Sequence, residues 1–159
     1  NTNHSLSALR KNRRLLFQLQ NEMGWHQLMN EHFTVSHGMA SIEIIGVENA
    51  GQPPFTNRSN LKKAMKGVAK DAFKIVLTHD PHHWRREVQK TGVHLTLAGH
   101  THAGQVSVLG LRPTMFSAFD YGLYEREGCQ LYTTAGLGGT IPIRIGATPE
   151  IVVITLKRK

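Results

Sequence analysis

An α/β fold is expected from three features of the sequence. Two apolar runs rich in β-branched residues, 73–78 and 93–98, are separated by a helix-length stretch. That stretch opens on Asp80-Pro81, an N-cap residue followed by a first-turn proline, and stops at Gly92. The last third of the chain breaks into short apolar runs divided by turn residues. Strand, helix, strand with a connection of this length makes a right-handed βαβ unit, so the two runs should be parallel strands.

The elements follow in order. Ser5 or Ser7 is placed to cap a helix reaching about Met23, with Leu9, Leu16, Leu19 and Met23 near one face and Gly24 at its end. Residues 25–28 read as a short extended piece. Residues 31–36 and 41–47 read as strands joined at His37-Gly38-Met39-Ala40, a hairpin-length turn. Gly51-Gln52-Pro53-Pro54 is a loop. Residues 60–70 read as a basic amphipathic helix with Leu61, Met65 and Val68 on its apolar side. After the βαβ unit, 105–108, 123–125, 129–134 and 150–156 read as strands, with Glu127-Gly128 as a hairpin turn.

The chain has 159 residues, 40% hydrophobic and 19% charged, an ordinary globular composition with room for one core. One cysteine, Cys129, excludes a disulfide framework and a Cys-rich zinc site within the chain. No run has the roughly 20 apolar residues of a membrane span. Residue 1 is Asn, so the chain reads as a processed product or an excised piece, with any anchor lying upstream. The net charge is +8. A non-catalytic, polyanion- or nucleic-acid-binding domain is the alternative this charge raises. Solvated helix faces at 11–14 and 62–70 explain the charge as well. Basic residues do not interleave with aromatics, so nucleic acid is not the expected partner.

Ten histidines carry the chemical signal. His79 ends the first strand of the βαβ unit, and Gly99-His100-Thr101-His102 follows the second. Parallel strands put all three imidazoles at carboxyl ends on one edge of the sheet, where open α/β sheets bind ligands. Neutral imidazole suits a transition metal. On extended backbone His100 and His102 would stand about 6–7 Å apart, able to serve different members of a metal pair spaced roughly 3.5–4 Å. Asp80 is placed either to orient His79 or to cap its helix. His82 and His83 read as an exposed helix start, and His94 as a hydrogen-bonded strand position. His4, His26, His32 and His37 carry no spacing signal. Thr101, Gln105, Asn49 and Arg144 are the substrate-binding candidates. Loop chemistry explains Thr101 and Gln105 equally, and a surface arginine is an alternative for Arg144. The 136–139 stretch lacks the ending of a phosphate-binding P-loop and reads as a tight turn.

Leu77-Thr78-His79-Asp80-Pro81, then Gly99-His100-Thr101-His102-Ala103-Gly104-Gln105, resembles the calcineurin-like metallophosphoesterase superfamily, and most of all its bacterial phosphodiesterase-like branch. Gly46-Val47-Glu48-Asn49, Pro142-Ile143-Arg144 and Pro149-Glu150-Ile151 extend the likeness, from about residue 23 to 156. The resemblance implies hydrolysis of phosphomonoesters or phosphodiesters of a small-molecule or lipid substrate. It implies two divalent ions (Mn, Fe or Zn), with His79 and His100 on one and His102 on the other. It also implies a four-layer α/β/β/α sandwich. The family's Asp-x-His, Gly-Asp-x-x-Asp and Gly-Asn-His motifs do not occur here. Residues 1–159 therefore read as a single incomplete domain, the C-terminal half of the sandwich, whose partner is the missing N-terminal half. At most one ion, little or no activity, no catalytic group besides ligands, and dimerisation through exposed sheet are expected of it. Relatives of this branch are often tethered to the bacterial membrane, which is the expectation for the parent.

Overall fold

In a computed structural model, which describes residues 2–109 and 111–157 (side chains from 7 on within the first helix), one six-stranded mixed sheet organises the chain. The strands are β1 Glu31–His37, β2 Ala40–Gly46, β3 Phe73–Leu77, β4 Leu95–Ala98, β5 Gly122–Arg126 and β6 Cys129–Thr133. Their spatial order is β1-β2-β3-β4-β6-β5. The inner four are parallel, and β1 and β5 are antiparallel hairpin partners at the edges. The βαβ expectation holds: β3 and β4 run parallel with Val76 opposite Thr96 and Leu77 opposite Leu97. Both hairpins also form where expected, the second with Glu127 and Gly128 at φ 53° and 76°, the left-handed pair that a tight hairpin turn requires.

One face of the sheet carries the main core. Ile45, Val76 and Leu131 meet Leu61 and Ala64 of α2 (Leu61–Ala64) and Trp84 of α3 (His82–Arg86), with Val88 from the 3-10 turn that follows. Each fully buried Val, Leu or Ile here contributes about 1.5–3 kcal/mol relative to exposure. Trp84, 2% exposed, closes this layer edge-on against Phe119, ring centroids 5.3 Å apart. The register puts Phe33, Ile44, Leu77, Leu97, Tyr132 and Leu123 on the opposite face. There Phe33, Leu77 and Leu123 stay exposed.

Four expectations are corrected. The first helix, α1, spans Thr2–Glu22, so Ser5 and Ser7 lie inside it and not at its start. Its apolar stripe does not pack: Leu9, Leu16, Leu19 and Met23 are exposed. α1 is held through Arg13 to Glu48 at 3.3 Å and Gln27 to the Phe17 carbonyl at 3.2 Å. Gly24 does end it, at φ 75°. The 60–70 helix is one turn only. Asn60 caps it by accepting from the Lys63 N–H at 2.8 Å. After two buried positions the chain turns away, and Gly67 takes φ 94°. Residues 105–108 make isolated bridges, because Gln105 is left-handed at φ 58°. Residues 150–156 form no strand, and Ile151 and Val153 are exposed.

Candidate metal centre

β3 and β4 deliver His79 and His100 to the same sheet edge. His79 Nε2 and His100 Nδ1 lie 3.1 Å apart, with ring centroids 4.9 Å apart and planes at 76°. Both rings are exposed. Two nitrogens bound to one tetrahedral zinc at ~2.0–2.1 Å would be about 3.3 Å apart, so the pair has the spacing of two ligands on one ion. His102 faces a neighbouring cavity and is near enough to His79 to act on its charge. Desolvation first, then His100 and His102, hold the His79 pKa below its ordinary value, against an upward pull from Asp80. The unprotonated form that binds metal is the form this environment favours. Among the described residues no group of three or more His, Cys, Asp and Glu forms a complete metal site. The structure thus brings two of the three histidines into contact and sets the third beside them.

The ligand loop is not extended, contrary to the expectation for His100 and His102. His100, His102, Ala103 and Gln105 have φ of 74°, 52°, 50° and 58°. Left-handed backbone at non-glycine residues costs on the order of 1–3 kcal/mol each and persists only where the surroundings impose it. Two side chains impose it here. Gln105 is buried: its Nε2 donates to the carbonyls of Ile141 and Ile143, and its Oε1 accepts from the Thr140 N–H at 2.7 Å. Arg144 donates to five backbone carbonyls: His102 at 3.4 Å, Ala147 at 3.2 Å, Ala135 at 2.8 Å, Gly136 at 3.2 Å, and Gly138. Expected from sequence as substrate contacts, both knit the histidine loop to the 135–147 segment, and Gln105 also lines the cavity beside His102. Gly104 is required as well, since a Cβ there would press on Thr114, Arg112 and Pro113.

Thr101 lines an open cavity of about 410 Å³ with His82, His100, His102, Thr114 and Ile141. Its hydroxyl donates to the Asp120 carbonyl. Asn49 stands elsewhere: exposed, its Nδ2 donates to the Thr56 carbonyl at 2.9 Å, and it lines neither this cavity nor the shallow one at His79. Glu48 is tied to Asn30 and Arg13.

Asp80 does not orient His79. Its carboxylate accepts from His82 N at 2.9 Å, from His82 Nδ1 at 3.0 Å and from Arg86 Nη1 at 3.2 Å. Burial alone would raise its pKa, and these bonds outweigh it and hold the carboxyl below its usual value. The capping role is therefore met, and His82 becomes a cavity residue. His83 is fully buried, not an exposed helix start. Its Nδ1 pairs with Thr78 Oγ1 at 3.2 Å, and its Nε2 lies 3.4 Å from Glu87 Oε2 without hydrogen-bond geometry. His94 is hydrogen-bonded as expected, Nδ1 accepting from the Lys74 N–H at 3.1 Å. Asp120, which sequence reasoning passed over, anchors the cavity wall: it accepts from Arg112 Nε at 3.1 Å and Tyr124 Oη at 3.2 Å.

Curated proteins of known family are similar to this chain. A Danio rerio protein described as a transmembrane protein with metallophosphoesterase domain is 31% identical over 153 residues, 89% of this chain. YkuE of Bacillus subtilis, an uncharacterized metallophosphoesterase, is 37% identical over 90 residues, 54% of this chain and 31% of its own length. The Escherichia coli phosphodiesterase YaeI is 26% identical over 163 residues, 97% of this chain and 56% of its own length. The chain belongs to the calcineurin-like metallophosphoesterase superfamily. It spans 35%, 23% and 28% of the length of the first three curated relatives it matches. No family model and no solved structure matches it. Metallophosphoesterase relatives occur in vertebrates as well as bacteria. No described helix is long and apolar enough to cross a membrane.

Proposed function

We propose that the protein to which this chain contributes hydrolyses phosphomonoesters or phosphodiesters at a divalent-metal centre, with His79, His100 and His102 as ligands. The carrying observation is the His79–His100 pair, two imidazole nitrogens at ligand spacing on adjacent parallel strand ends. When bound, divalent ions supply a deprotonated water at neutral pH and neutralise charge on the phosphoryl oxygens. The chain's own residues prepare for that. His79 and His100 offer one ion two nitrogens, His102 serves a second, and Arg144 and Gln105 keep the loop in shape. Thr101 and His82 line the space where a phosphoester would sit. No carboxylate of the chain stands among these ligands in the described structure, and two close cations repel strongly without one. The remaining ligands would then come from a preceding half-domain, whose sheet would cover the exposed face and complete a four-layer sandwich. The chain alone would hold at most one ion and be weakly active or inactive. A membrane-anchored parent is in keeping with the transmembrane naming of the vertebrate relatives.

The test combines metal titration with turnover of bis-p-nitrophenyl phosphate, in this chain and in a longer form that includes the preceding half. His79→Ala and His100→Ala should each weaken zinc or manganese binding beyond the roughly 10–100-fold that loss of an outer partner causes. Turnover should require the longer form. Unchanged metal affinity in both variants, or tight, salt-sensitive nucleic-acid binding without metal, would overturn the reading.

A further inference from the structure

Residues 150–156 have the sequence of a strand and form none. Ile151-Val152-Val153-Ile154-Thr155-Leu156 holds five β-branched side chains in six, with no glycine, proline or charge. Among the described residues, 151–157 make no backbone–backbone hydrogen bond. Ile151 and Val153 are 78% and 87% exposed, and Ile154 and Leu156 are exposed beyond them. The root of this tail is held firmly. Glu150 accepts from Tyr121 Oη at 2.8 Å, Thr134 Oγ1 at 2.8 Å and the Ala135 N–H at 3.0 Å, and its own N–H donates to the Gly136 carbonyl at 3.2 Å. The carboxylate thus fixes the point from which the tail departs, at the carboxyl end of β6. β6 already has β4 on one side and β5 on the other, so no ladder there is open to the tail.

Two features say what pairs with it. Apolar residues occupy both alternating rows, Ile151 and Val153 in one and Val152, Ile154 and Leu156 in the other. That is the pattern of a strand covered on both faces. Tail-to-tail pairing with a second copy would satisfy one edge and cover neither face. The stretch of the curated relatives that this chain matches is their C-terminal portion, so most of their remaining length precedes it. We infer that 151–156 is a donated strand, which crosses from the Glu150 anchor into a second sheet formed by the preceding part of the same protein. There its N–H and C=O groups meet a partner strand, and its two apolar rows pack on both sides. The inference rests on the half-domain part of the proposed function and not on its chemistry, and it names the segment that joins the halves. Left unpaired, an apolar run of this kind is a template for aggregation.

Amide hydrogen exchange at 151–156 tests it, in this chain and in the longer form that includes the preceding part. In this chain the segment should exchange at the rate of an unstructured peptide. In the longer form it should be slowed by at least about 100-fold, as in a paired inner strand. Val153→Pro supplies a second readout, because proline removes a ladder donor and is excluded from inner strands. It should leave the melting temperature of this chain unchanged, since Val153 is exposed and makes no backbone bond. It should lower that of the longer form by at least about 5 °C. Fast exchange in both forms, or melting of the longer form unmoved by the proline, overturns the inference. So does protection that arises in this chain alone and grows with its concentration, which assigns the tail to a second copy. Neither readout uses metal or turnover, so a failure here leaves the phosphoester reading untouched.

Discussion

His83 is the single side chain whose environment has the plainest energetic consequence. It has no solvent exposure, and burial, only partly opposed by Glu87, holds its pKa below the ordinary 6.5. The unfolded chain therefore takes up the proton first as pH falls, and stability present above about 6.5 is lost below it. His79 and His94 are shifted in the same direction and add to the slope. Urea midpoints measured from pH 7.5 down to 5.5 should fall steadily, and less steeply in His83→Gln. A flat profile would contradict the burial. At this scale the sequence was legible where chemistry is repetitive: His79 and the His-x-His pair stand out by spacing alone. His83 was not, because one helical position separates a cavity-facing histidine from a buried one, and the pattern around Asp80 does not say which way the helix is turned.

The histidine loop is the element on which the site depends. Its left-handed run is held from outside, by Arg144 reaching the His102 carbonyl. Lysine cannot reproduce a planar fork that spans five carbonyls. Arg144→Lys should lower zinc affinity roughly tenfold, the lower end of what lost outer partners cost, along with the melting temperature. Zinc competition against a chelator at 20 °C below melting separates the two effects. A fall in melting temperature with unchanged affinity would make Arg144 a general stabiliser and not a support of the site. The βαβ unit was readable because cap, proline, glycine and two apolar runs all agree. The 60–70 helix and the 150–156 strand were not, since apolar spacing shows what a segment could bury and not whether a partner is there.

Across the whole molecule, one face of the sheet is packed throughout and the other only in part, with Ile75 and Leu95 buried and the outer positions open. Leu123, 60% exposed, and Phe33 lie on the second face, and the α1 stripe is exposed as well. Surfaces of this kind drive association. Size-exclusion chromatography with light scattering should find the isolated chain as a dimer or larger. Phe33→Lys with Leu123→Lys should shift it toward monomer. A monodisperse monomer at high concentration would argue against an uncovered sheet. The α/β class was legible from the strands. The partly open face was not, because parallel strands meant for burial on both sides read as continuous apolar runs whether or not the second side is covered.

The two tryptophans give the fold a built-in pair of optical reporters. Trp84 is 2% exposed within the main core, and Trp25 is 58% exposed just past the end of α1. Emission from the first should be blue-shifted and shielded from iodide, and that from the second red-shifted and readily quenched. Docking of α1 onto any surface would therefore move the quenchable fraction alone, while loss of the core would move the shielded one.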